Sequence, residues 1–122
     1  MVSVTPERFD ELVEAALDEI PTELAAAMEN VVVTVAERAT REQSANAAET
    51  LLGLYEGVPL TERGPLSYSG VAPDRITIFS VPLCARARDE SDLAWQVRVT
   101  VLHEVGHHFG MSEARLREIG WA

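Results

Sequence analysis

The chain has 122 residues, 47% of them hydrophobic and 25% charged, which is enough to bury a core as one globular domain over 1–122 and excludes a disordered or membrane-embedded protein. Twenty acidic against ten basic side chains give a formal net charge of -10, a field that repels nucleic acid phosphates and anionic membrane surfaces. A single cysteine, Cys84, excludes an intramolecular disulfide and agrees with a reducing compartment. No secretory leader precedes the first acidic helix, so the expected location is the cytoplasm.

Thr5-Pro6-Glu7 has the chemistry of a helix start: a hydroxyl N-cap, proline at the first helical position and an acid at the positive end of the dipole. Phe9, Leu12, Val13, Ala16, Leu17 and Ile20 follow at three- and four-residue steps and predict one apolar face, closed off by Pro21. Thr22 to Glu29 predicts a second, short helix. The β-branched run Val31 to Val35 predicts a buried strand. Residues 37–50 are polar and alanine-rich and are compatible with either a short helix or a loop. Residues 51–71 contain enough glycine and proline to predict an ordered loop holding at most short strands.

Arg75 to Val81 alternates polar and apolar residues as a half-buried strand does, with Pro82 expected at an edge or at the strand's end. Residues 89–92 supply caps and acids for a helix running from Leu93 to Phe109. That helix is apolar nearly all round and is therefore expected at the centre of the molecule. Gly110 is placed to stop it, and Ser112 to cap a last helix whose Leu116, Ile119 and Trp121 pack back; Trp95 is assigned to the core with Trp121.

The chemistry concentrates in His103-Glu104-Val105-Gly106-His107. Residues four apart on a helix lie one above the other, so His103 and His107 can offer two imidazoles to one Zn2+ ion. Gly110 lets the chain turn back, and Glu113 can then supply a third ligand, leaving the fourth position to water. Glu104 would stand beside that water as general base. His108 points about 100° away from His107 and is expected to be a packed or supporting histidine. Cys84 reads as a small buried hydrophobe; were it a fourth ligand, the zinc would be structural. Tyr55, Tyr68 and Arg98 are candidates to stabilise an oxyanion, with no spacing that selects among them.

The sequence His-Glu-x-x-His-x-x-Gly-x-x-Glu resembles the zinc-binding consensus of the metzincin peptidases, with Glu113 where histidine or aspartate usually stands. More closely, residues 103–121 together with Leu52 to Arg63 and Pro73-Asp74-Arg75-Ile76 resemble the small bacterial zincin-like metallopeptidases with a minimal zincin fold. The resemblance implies an α+β architecture, a small β-sheet packed against helices with a central active-site helix. It also implies His103, His107 and Glu113 as zinc ligands, Glu104 as base, and hydrolysis of a peptide or protein substrate. Only nine residues follow Glu113, so a shallow groove is expected, with substrate pairing against a strand such as Arg75 to Val81 and walled by residues 51–71. The alternative is a non-catalytic zincin-fold binding or regulatory module with weak or no metal.

Overall fold

The computed structural model describes residues 1–28, 30–45, 47–58 and 74–122. In chain order these form α1 (Pro6–Leu17), α2 (Thr22–Ala27), β1 (Val31–Ala36), α3 (Arg41–Ser44), β2 (Gly53–Glu56), β3 (Asp74–Phe79), α4 (Ser80–Arg86), α5 (Glu90–His108) and α6 (Glu113–Glu118). This is a small α+β fold.

The helix starts follow their caps. Thr5 accepts from the Arg8 N–H with Pro6 at the first helical position, Asp89 accepts from the Asp92 N–H, and Ser112 from the Arg115 N–H, each satisfying a donor that the first turn leaves open. In residues 37–50 the structure selects a helix: Thr40 and Gln43 form a reciprocal capping box that starts α3.

The sheet has the order β1-β3-β2, with β1 parallel and β2 antiparallel to β3. The strand expected over residues 75–81 is shorter. It ends at Phe79, and Ser80, Val81 and Pro82 form the first turn of α4. N–H groups in a helix's first turn have no intrahelical acceptor, so proline breaks no helical bond there, and the Val81 N–H beside it is taken by the Glu37 carbonyl at 3.0 Å. β3 is also the central strand, and its backbone is occupied on both sides. It has no open side for the substrate strand expected there, and among the described residues the sheet edge beside α5 belongs to β2.

α5 packs against α1, α4, β2 and β3, burying Leu93, Val97, Val101, Leu102 and Val105 against Phe9, Leu12, Val13 and Ala16 of α1 and Ile76 and Ile78 of β3. The central position expected for this helix is what the fold shows. Trp95 is an exception to the core assignment: it is 58% exposed, and the guanidinium of Arg98 lies 5.4 Å from its ring centre. Trp121 is half-buried against the core. No helix among the described residues is long and apolar enough to cross a membrane.

Candidate metal centre

α5 places His103 and His107 one turn apart, and their Nε2 atoms face each other at 3.1 Å. α5 ends at Phe109 because Gly110, at φ 76°, turns the chain left-handed. The Gly110 N–H then bonds to the His107 carbonyl and the Met111 N–H to the Gly106 carbonyl, the two bonds of a Schellman motif. The chain folds back into α6 and brings Glu113 Oε1 to 3.3 Å from His103 Nε2 and 3.2 Å from His107 Nε2.

α6 can press this closely only because Gly106 has no side chain. A Cβ there would run into Leu116 Cδ2, the buried anchor of α6. A second left-handed glycine, Gly120 at φ 80°, ends α6 in the same way, with Gly120 N–H to Arg117 and Trp121 N–H to Leu116. It swings the Trp121 carbonyl to 3.2 Å from His103 Nδ1. A carbonyl can only accept, so Nδ1 carries the proton, and Nε2 presents its lone pair toward His107 and Glu113.

The three facing atoms can therefore be tested against a metal. With metal–ligand bonds of about 2.0–2.1 Å at tetrahedral angles, ligand atoms sit roughly 3.3 Å apart. The observed edges are 3.1, 3.2 and 3.3 Å. Two imidazole nitrogens and one carboxylate at these separations suit zinc. Glu104 belongs to the same cluster: the ligand atoms of His103, Glu104 and His107 all lie within 4.8 Å of one another.

Glu104 is 9% exposed. Burial pushes its carboxyl above the usual carboxylate range and Glu113 adds to the rise, while the His103 charge and a hydrogen bond from the Tyr55 backbone N–H pull it down. Burial holds His107 below its usual value, as does the charge of His103. Cavities of about 510 Å³ and 500 Å³ flank Glu104. One is bounded by Leu54, His107 and Met111, the other by Ala47, Val99 and His103, and both share Leu51, Gly53 and Glu104.

Behind the cluster lies a buried polar group with a different task. Asp74, at the start of β3, accepts from Tyr55 Oη at 2.6 Å and from His108 Nδ1 at 2.9 Å. It ties β3 to β2 and to the last turn of α5, and its buried charge is stabilised by both donors. His108 is fully buried, facing away from the ligand cluster as its angular position on the helix requires. The Tyr55 hydroxyl is thus committed to Asp74. Arg98 is held by Glu19 at 2.7 Å and stacks over Trp95, so neither supplies an oxyanion donor in this arrangement. Tyr68 lies outside the described residues. Cys84 is half-buried in α4 and is not part of the His103, Glu104 and His107 group.

Sequence reasoning missed the Trp121 carbonyl and the Tyr55 N–H. Both are backbone groups, and the only signals for them were Gly120 and the strand pattern of residues 53–56. It also missed the role of Asp74, which entered only within the Pro73-Asp74-Arg75-Ile76 segment of the family resemblance.

A family model described as zincin-like metallopeptidase matches residues 28–121. No curated protein matches the chain.

Proposed function

Because the chain belongs to the zincin-like metallopeptidase family, we propose that it is a zinc-dependent peptidase in which His103, His107 and Glu113 hold the metal and Glu104 is the general base. The observation that carries this reading is the triangle of His103 Nε2, His107 Nε2 and Glu113 Oε1, whose edges match a tetrahedral zinc site, with a buried carboxylate at its side. Zinc bound there would lower the pKa of water and polarise a substrate carbonyl.

The remaining work falls to the chain. The Trp121 carbonyl fixes the His103 tautomer, and the Tyr55 N–H fixes the orientation of the Glu104 carboxylate. Burial raises the proton affinity of Glu104, which suits a group that must take a proton from water and pass it to the leaving amine.

The edge of β2 supplies a place for the peptide. The Phe79 N–H bonds to the Leu52 carbonyl, so residues 52, 54 and 56 face β3, while Gly53 and Tyr55 turn their backbone groups outward. Tyr55 gives its N–H to Glu104. The outward backbone groups of Gly53, beside Glu104, are where an extended substrate would pair. Glu104→Ala tests the reading with a peptide library: wild type loaded with zinc hydrolyses at least one peptide, and the variant keeps zinc but loses hydrolysis by about 10²-fold or more. Full activity in Glu104→Ala would sink it.

A further inference from the structure

We propose that Gly53 is a positioning residue for Glu104, conferring on the base its place against β2. The inference rests on the reading of Glu104 as the base. Gly53 is buried, and its φ lies outside the left-handed region, so its backbone would accept any residue. What it supplies is space. A Cβ at this position would lie 2.8 Å from Thr100 Cγ2, 3.2 Å from Glu104 Cγ and 3.4 Å from Ile78 Cδ1.

The reason is the way a helix ridge meets a strand. Thr100, Glu104 and His108 form one i, i+4, i+8 row of α5, and Gly53 and Tyr55, two apart, share one face of β2. Tyr55 meets His108 with ring centres 5.8 Å apart, a large residue filling a wide gap. Opposite Thr100 and Glu104 the gap is narrow, and only a residue without a side chain leaves room for the stem of Glu104 to lie flat against the strand. That placement lets its carboxylate reach the Tyr55 N–H two residues on.

The two closest clashes can be separated. Thr100→Ser deletes the Cγ2 atom and keeps the hydroxyl that donates to the Gln96 carbonyl at 2.7 Å, so it relieves the clash that threatens folding and leaves the one with Glu104. The double variant Gly53→Ala/Thr100→Ser should fold and bind one zinc per chain with unchanged KM, while kcat falls roughly tenfold, since displacements well under an ångström at a reacting group are costly. Thr100→Ser alone should keep the wild-type rate. Wild-type kcat in the double variant would overturn the proposal.

A readout independent of turnover is a double-mutant cycle on the metal-free protein in the Thr100→Ser background, comparing the urea midpoint shift caused by Gly53→Ala with Glu104 present and in Glu104→Ala, which lacks the clashing Cγ. A smaller shift in the Glu104→Ala background supports the proposal, and equal shifts overturn it. Were no library peptide cleaved by wild type, the assignment of Glu104 as base would fall, and the cycle would still decide whether Gly53 places it.

Discussion

Glu104 carries a tension that can be measured without any substrate. Its carboxylate is buried at a cost, and the partial compensation comes from His103 and the Tyr55 N–H. Glu104→Gln keeps the shape and removes the charge. In the metal-free protein at pH 7 it should raise stability by about 1 kcal/mol, or several degrees in Tm, while the zinc-loaded variant should lose hydrolysis. A lower Tm for the variant would show that the buried charge is fully compensated.

The two shifted groups also set a pH dependence. Folding holds His107 below its ordinary 6.5, so as pH falls through 6.5 the unfolded chain takes up a proton that the folded chain refuses, and stability falls. Folding holds Glu104 above its ordinary 4.5, so as pH rises through 4.5 the unfolded chain releases its proton first, and stability falls until the raised folded value is passed. Urea titrations of the metal-free protein should therefore show Glu104→Gln losing the second effect and keeping the first. At this scale the sequence was legible where side-chain identity carries the chemistry, as at His103, Glu104, His107 and Glu113. It was silent where backbone groups do, because the Trp121 carbonyl would be present whatever residue stood there.

Among the elements, α6 depends on α5 at one point. Gly106→Ala places a Cβ against Leu116, which must then move outward with the helix that bears Glu113. The expected cost is about 1–3 kcal/mol of stability, together with weaker zinc binding, measured by urea unfolding and by competition with a chelating dye. Stability lost with zinc affinity intact would mean that α6 does not carry a ligand. Gly120→Ala should cost about 1–2 kcal/mol through its left-handed φ and loosen the contact from Trp121 to His103. α1, α5 and α6 were legible from caps and periodicity. α4 was not, because Ser80-Val81-Pro82 continues the apolar alternation of β3, and local pattern alone cannot distinguish a strand's last residues from a helix's first turn. Trp95 was misplaced for a related reason: the sequence shows a large aromatic on a central helix, and only the packing reveals that this turn faces solvent beside Arg98.

For the molecule as a whole, Asp74 joins the sheet to the helix that carries the site. It accepts from Tyr55 and His108, side chains 19 and 34 residues away in sequence, and such a long-range junction leaves no local pattern to read. Asp74→Ala removes the acceptor shared by the part-buried Tyr55 hydroxyl and the buried His108 and should cost roughly 3–5 kcal/mol, enough to unfold a marginal domain. Metal works in the other direction. On the proposed reading zinc would bind the assembled cluster and not the open chain, so Tm should rise with zinc concentration above that of the protein and fall back on chelation.

The central claim is that His103, His107 and Glu113 form one zinc site, and elemental analysis of purified protein at neutral pH, beside His103→Ala, tests it most directly. The account predicts about one zinc per chain in wild type, lost in the variant. No zinc in wild type after incubation with excess metal, or equal zinc in both proteins, would contradict it.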